Sequence, residues 1–315
     1  MKTVSTNGMS KADWLQGRCS TIGTSDASGI LGLSPYTNAY DVYVKKVEGE
    51  TFEGNEVTRY GLEMEDICAK RFTEETGLKT IKDNKIRYHR CDPGTDPWLS
   101  TNLDRVVITP EGRCPLEIKT VRDVAKKSWD GDFPSWYKCQ IMGQMAITGW
   151  HTCYVYVHIY GSFGIDFEIM QFHFDEDYWK ESYKKLEHFW FENVLKRIPP
   201  EPTSESNIKH LYPKAEEGSV ITLSDPVEKA IEELEEVKAE ILRANKQKKD
   251  LEVLIKKAIG EAETMRNDKY VVTYKNSKGR STFNKKSFGI DHPELLKEYT
   301  SNGNSYRTLK IKEAK

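Results

Sequence analysis

Asp104, Glu117 and Lys119 fall inside one short stretch, LDRVVITPEGRCPLEIKT at 103–120, in the spacing D-x(12)-E-x-K. An antiparallel hairpin turning at Pro110 and Glu111 sets Asp104 opposite Glu117, within about 5.5 Å at Cβ. Successive strand residues point to opposite faces, so Glu117 and Lys119 share one face and Leu116 and Ile118 the other. Two carboxylates that close repel, and one of them titrates high unless a cation sits between them. A hard divalent ion, Mg²⁺ or Mn²⁺ in its place, suits oxygen ligation by Asp104, Glu117 and the main-chain carbonyl of Ile118. Such an ion could hold a phosphate and an attacking water together, with Lys119 orienting or helping to deprotonate that water. Taken alone, the same pattern also describes an ion pair on a half-exposed strand face, where alternating charges are ordinary.

The elements that must carry these residues are readable on either side. In YGLEMEDICAKRF, Glu65 follows Gly61 by four residues and shares a helical face with Ala69 and Phe72. A glycine there permits close approach of another element. Glu65 borders the apolar face that must dock on the sheet, so it could give the metal a third carboxylate; the plain alternative is an exposed helical glutamate, which is how Glu63 reads. The pattern predicts a helix over 55–77 that stops at Gly77. Strand-like runs follow at KTIKDNKIRYHR, WLSTNLDRVVIT, CPLEIKT, HTCYVYVHIY and DFEIMQFHF, with SWYKCQIMGQMAIT as an intervening amphipathic helix. This order predicts an α/β fold, a mixed central sheet flanked by helices.

The segment RIPPEPTSESNIKHLYPKAEEGS interrupts helical periodicity, and we read 201–222 as a linker after a domain at 1–200. Beyond it, 223–265 starts with Ser224 or Asp225 as N-cap and Pro226 near the first helical position. Counted in sevens, Val227, Leu234, Ile241, Lys248 and Ile255 occupy one position and Ala230, Val237, Ala244, Leu251 and Ala258 the other. Nine of these ten are apolar, which predicts a coiled coil or a helical hairpin broken around Asn245, paired within the chain or with another subunit. Residues 266–315, with KYVVTYKN and YRTLKIK, read as a small basic β element.

Composition narrows the classes. The 315 residues are 37% hydrophobic, enough for one large core or a core with an appendage. No apolar run approaches the roughly 18 residues of a membrane span, and MKTVSTNGMS lacks a signal-peptide core, so the expectation is a cytoplasmic protein. The cysteines at 19, 68, 91, 114, 139 and 153 form no CxxC pair and read as reduced packing thiols. A net charge of −2 hides an asymmetry: 266–315 holds 12 Lys and Arg against 5 Asp and Glu, leaving −9 for 1–265. Such a basic end suits a phosphate backbone or an acidic partner, and equally a solvated surface. No GxxxxGK[ST] is present, so ATP hydrolysis is not expected.

Four stretches in order, RCSTIGTSDASGILGLSPY, GLEMEDICAKRFTEETG, NLDR with LEIKT, and YKCQIMGQM, resemble the PD-(D/E)XK nucleases, and most closely the YqaJ-like viral recombinases related to the phage lambda exonuclease. The resemblance spans roughly residues 18–160. It implies a restriction-endonuclease-like core and a metal-dependent exonuclease that digests one strand of linear duplex DNA from its 5′ end. The 3′ overhang left behind serves a single-strand annealing recombinase. It further implies that Asp104 and Glu117 bind the metal, that Lys119 is the catalytic lysine and Glu65 the helical glutamate, and that Gln140, three after Tyr137, positions the water or scissile phosphate. Arg18 and Ser25, spaced R-x(6)-S, fall where the family grips the terminal 5′ phosphate; a guanidinium binds phosphate oxygens bidentately, and the segment after Ser25 reads as a helix start. Relatives form ring-shaped trimers, which implies a homo-oligomer. Two departures stand out: Leu103 replaces the proline of the superfamily name, and Arg105 stands where many relatives have glycine.

Other residues have balanced readings. Trp129, Phe133, Trp136 and Tyr137 could stack on an unpaired base, although packing is the more ordinary role for such a cluster. His151 and His158 are expected to be structural. Two other functions fit parts of the pattern: a site-specific endonuclease on the same fold, and a non-catalytic adaptor binding DNA ends or an annealing protein.

Overall fold

Small polar and glycine-containing turns cut the first hundred residues into short elements. The computed structural model describes residues 2–49, 54–90, 96–129, 131–162, 164–301, 303 and 305–312. In chain order it has β1 (Lys2–Ser5), α1 (Lys11–Cys19), β2 (Ile22–Gly23), a 3₁₀ turn (Thr24–Asp26), α2 (Ala27–Ile30), α3 (Ala39–Val47) and α4 (Glu56–Thr76). The Asn38 side chain caps α3, accepting from the Asp41 N–H, while Asp41 accepts from the Asn38 N–H. The Asn55 side chain accepts the Thr58 N–H at 2.9 Å to open α4, and Gly77, at φ +70°, closes it where the sequence predicts.

Next come β3 (Lys79–Lys82), β4 (Lys85–Tyr88), β5 (Leu99–Thr101), β6 (Arg105–Thr109) and β7 (Gly112–Arg122). They are followed by α5 (Asp123–Lys127), α6 (Ser135–Thr148), β8 (Thr152–Gly161), β9 (Gly164–His173), α7 (Glu176–His188) with a π-helical continuation (Phe189–Val194), and α8 (Glu205–Leu211). The central sheet has five strands in the order β3-β6-β7-β8-β9. β7 and β8 are its parallel pair, joined through α5 and α6 as a crossover connection requires. The other four strands form a separate sheet, β1-β4-β5-β2.

Two expected strand runs divide. KTIKDNKIRYHR breaks at Asp83 and Asn84, and WLSTNLDRVVIT at Asn102–Asp104; in each case the two halves enter different sheets. Asp83 accepts two bonds from the Arg87 guanidinium, at 2.9 and 2.6 Å, which stabilises a corner there rather than a continuous strand.

The five-stranded sheet carries an apolar layer on each face. On one, Cys68, Ala69 and Phe72 of α4 pack against Leu116, Ile118 and Tyr156. α4 passes over β7 at Gly61, where a Cβ would lie in ordinary contact, 3.4 Å from the Thr120 hydroxyl. On the other face, Ile141, Met142 and Met145 of α6 pack with Cys153, Val155 and Val157. The described cysteines are free thiols; burial pushes Cys68 and Cys114 up to about 11 and Cys139 to about 12, as packing thiols. Cys91 lies outside the described residues. Trp129, Phe133, Trp136 and Tyr137 pack on one another with centroids 5.8–6.0 Å apart, and Phe133 meets Phe172 in a tilted contact at 4.8 Å. His158 is buried, with Nε2 3.2 Å from the Tyr60 hydroxyl.

The chain forms two compact units, Met1–His210 and Leu211–Lys315. The expected linker contains α8, whose buried Asn207 donates to Asp41 at 2.7 Å and accepts from Asn38 at 2.9 Å. The second unit contains α9 (Asp225–Ile259), a hairpin of β10 (Thr264–Arg266) and β11 (Val271–Thr273), and the short helices α10 (Lys285–Asp291) and α11 (Pro293–Glu298). α9 runs unbroken through Asn245, so the helical-hairpin alternative does not hold. YRTLKIK forms no strand: Tyr306 and Leu309 lie exposed with no strand beside them among the described residues. No described helix is long and apolar enough to cross a membrane.

Candidate active site

The two-residue turn at Pro110 and Glu111 fixes the register of β6 and β7, which pair from Thr109 with Gly112 to Arg105 with Leu116. Asp104 is the next residue outward, facing Glu117, where the β6 backbone leaves the sheet. Its side chain takes over as acceptor for the strand: Oδ2 receives the Ile118 N–H at 2.8 Å. Glu117 points to the α6 face and is 3% exposed. Its Oε1 accepts from Lys119 Nζ at 2.6 Å and from Gln140 Nε2 at 2.8 Å, and its Oε2 accepts from Gln144 Nε2. Lys119 also donates to Gln140 Oε1 at 3.1 Å and lies 4.7 Å from the centroid of the Tyr137 ring.

The electrostatics follow from packing so many charges into little water. Burial pushes the Asp104 carboxyl well above its ordinary value, and the charges of Glu117 and then Glu65 push it the same way. For Lys119 burial works downward, but Glu117 and Asp104 outweigh it and hold the ammonium above its ordinary range. Glu65 reaches this edge from α4, on the other face of the sheet. It accepts from Arg105 Nη1 at 3.2 Å, and Arg105, 3% exposed, also donates to Asp66. Burial raises the Glu65 carboxyl despite Arg105, with Glu117 adding to the rise.

Among the described residues no three His, Cys, Asp or Glu side chains are drawn together tightly enough to form a metal cage. The donor chemistry nevertheless fits a divalent ion. Asp104, Glu117 and the Ile118 carbonyl are hard oxygens at one sheet edge, with Glu65 close enough to act on both carboxylates. Mg²⁺ keeps several waters and is commonly held by only one or two carboxylates, so a full protein cage is not needed.

Arg18 and Ser25 also come together, with Nη2 3.4 Å from Oγ, and the guanidinium lies 4.9 Å from the Trp14 ring centroid. Two residues absent from the sequence reading frame this pair. Asp26 accepts from Gly23 N–H at 3.1 Å and from Lys46 Nζ at 2.7 Å, and lies 3.6 Å from Arg18. Lys46 donates as well to the Arg18 carbonyl at 2.7 Å. The 3₁₀ turn rests on α6, because Thr24 packs against Gly143, one residue from Gln144. The arginine–serine pair is therefore built against the helix that carries Gln140 and Gln144.

Gln144, fully buried, was also missed, although its spacing of four from Gln140 puts both amides on one helical face. Nothing in the sequence signals Lys46, twenty residues from Asp26. Arg105, a departure from the family pattern, is the partner of Glu65.

Fold and site together define a restriction-endonuclease-like α/β protein. The crystal structure of an alkaline exonuclease (LHK-Exo) from Laribacter hongkongensis superposes with a TM-score of 0.50 at 18% identity, covering 60% of this chain and 94% of that one. Residues 13–151 match the model for the YqaJ-like viral recombinase domain. The "Uncharacterized protein YqaJ" of Bacillus subtilis (strain 168) is 28% identical over 265 residues, covering 81% of this chain and 80% of that protein. A match of that length exceeds the first unit, so it runs into the second, which the family model does not cover.

Proposed function

We propose that the protein is a metal-dependent exonuclease that hydrolyses one strand of linear duplex DNA from its 5′ end. The observation that carries this reading is the convergence of Asp104, Glu117, Lys119 and Gln140 at one sheet edge, with the Arg18–Ser25 pair mounted on the same helix through Thr24 and Gly143. The divalent ion would be held by Asp104, Glu117 and the Ile118 carbonyl, with Glu65 as a further carboxylate. When bound, such an ion polarises the phosphoryl group and lowers the pKa of a coordinated water.

The chain supplies the remaining roles. Lys119 is held by Glu117 and Gln140 with an N–H to spare, so it orients the attacking water and offsets charge developing on the phosphate. Gln140 both donates to Glu117 and accepts from Lys119, which fixes the two relative to each other. Arg18 and the exposed Ser25 hydroxyl grip a terminal 5′ phosphate, the guanidinium through charge-assisted bonds. Successive hydrolysis then leaves a 3′ single strand, the substrate of a single-strand annealing protein.

The test is digestion of 5′-phosphorylated linear duplex with Mg²⁺, with EDTA added in parallel and closed circular DNA as control. Release of mononucleotides from linear DNA only, abolished by EDTA and by Lys119→Ala while duplex binding persists, is the expected result. Cutting of the closed circle would instead indicate an endonuclease, and normal digestion by Lys119→Ala would overturn the assignment of Lys119.

A further inference from the structure

The seam of α9 is built for a partner that its own helix cannot supply. An unbroken helix of 35 residues is about 52 Å long, and it cannot fold back on itself. Along one stripe Val227, Leu234, Val237, Ile241, Leu251 and Ile255 are 37–55% exposed. Among the described residues of the second unit, the β10–β11 hairpin meets the C-terminal end of the helix, where Ile259 is buried and Lys256 lies over the Tyr274 ring.

The charges decide what covers the stripe and in which direction. Residues 225–244 hold seven Asp and Glu against three Lys and Arg, whereas 245–259 hold five Lys against two Asp and Glu. Two such helices side by side in parallel align like with like. Parallel pairing also sets Lys248, the one charged seam residue, against the Lys248 ammonium of the other copy. Antiparallel pairing places each acidic half along a basic half. It also brings Lys248 against Val237 of the second copy, with Glu233 and Glu240 one turn to either side. In that register Leu234 meets Leu251 of the other copy and Ile241 meets Ala244, so every seam position meets a seam position.

We propose that α9 binds α9 of a second copy of this chain as a two-fold antiparallel coiled coil. The interface is isologous and closed. It is independent of the nuclease reading and of any assembly made by the first unit.

The full-length protein tests it. Light scattering across a dilution series should give Leu234→Glu/Ile241→Glu half the subunit number of the unmodified chain, with the far-ultraviolet helix signal kept. Under mild oxidation, Leu234→Cys/Leu251→Cys should gain a covalent dimer beyond the background of the native thiols, whereas Leu234→Cys alone should not. An unchanged subunit number in the glutamate variant would show that the seam is covered from within the chain or by another protein, and would overturn the proposal. Crosslinking of Leu234→Cys alone as efficiently as the double variant would overturn the antiparallel direction.

Discussion

Gly143 on α6 is where the two halves of the proposed site touch, and adding one methyl group there tests whether they work together. A Cβ at Gly143 would lie 2.7 Å from Thr24 Cγ2, and 3.3 Å from both Thr24 Cβ and a ring carbon of Trp179. Carbon atoms settle at about 3.5–4.0 Å, so Thr24 must recede by about 1 Å. It cannot do so alone, because its hydroxyl is bonded to Thr101 at 2.7 Å and it begins the turn that holds Ser25 and Asp26. Overpacking of this kind costs about 1–3 kcal/mol, and alanine in a helix recovers about 1 kcal/mol relative to glycine. The net loss is then at most about 2 kcal/mol, or up to about 8 °C in Tm for a unit of this size. The effect on chemistry is larger, since misplacing a binding group by about 1 Å can lower a rate about 100-fold. Gly143→Ala should therefore remain folded yet digest 5′-phosphorylated duplex about 100 times more slowly, and should lose much of its preference over 5′-hydroxyl ends. Gly143→Ala/Thr24→Ser removes the 2.7 Å contact while keeping a hydroxyl for Thr101, and should recover most of the rate. Wild-type kinetics in the single variant, or no recovery in the double, would refute the coupling of the Arg18–Ser25 pair to α6.

Three further outcomes follow from buried polar groups. Gln144→Leu removes a donor to the Glu117 carboxylate, a loss of about 1.5–3 kcal/mol, but it also removes the buried Gln144 Oε1, which has no partner among the described residues and carries a penalty of about 1–3 kcal/mol. Urea denaturation should show a nearly unchanged midpoint while the digestion rate falls; a loss above about 3 kcal/mol would contradict this balance. Lys46→Met leaves Asp26 buried without its ammonium and should destabilise the fold by about 3–5 kcal/mol, with partial recovery in Asp26→Asn/Lys46→Met. Burial raises the Asp26 carboxyl, but Lys46 and then Arg18 more than offset it and hold it below 3.8. The unfolded chain thus binds more protons in that window, so Asp26 contributes stability above pH 3.8 that is lost as pH falls through its lower folded value; in acid titrations Asp26→Asn should lack this component.

The hairpin was legible in the sequence because a two-residue turn and strict alternation leave one register that buries Leu116 and Ile118. α4 was legible for a similar local reason, an apolar face ended by Gly77. What the sequence hid is set by partners far along the chain. At Asp83 and Asn102 the local signals conflict: Asp and Asn suit turns, but the flanking β-branched residues suit strands on both sides, and the sheet assignments separate them. Asn245 weakens a helix too little to stop one with good formers on either side, and so α9 continues. The same limit hid Lys46 and Asp26, whose bond joins α3 to the 3₁₀ turn, and α8, which docks through the buried Asn207 and through His210 on Tyr40 and Glu48.

The placement of Glu65 shows how the two faces of the sheet meet at one point. Residues on the α4 side cannot ordinarily act on a group that points toward α6, because the strand backbone lies between them. At Asp104 the backbone leaves the sheet, and a carboxylate replaces a peptide carbonyl as the acceptor of the Ile118 N–H. The barrier thins there, and the Glu65 charge bears on both Asp104 and Glu117. In the chain alone Lys119 answers this negative charge from one face and Arg105 from the other. Glu117 and Glu65 are the carboxylates that would turn from Lys119 and Arg105 toward a divalent ion if one were held at this edge. Lys119 would then keep its place beside Gln140, and Arg105 would keep Asp66, a more exposed carboxylate whose ion pair is weakened by solvent.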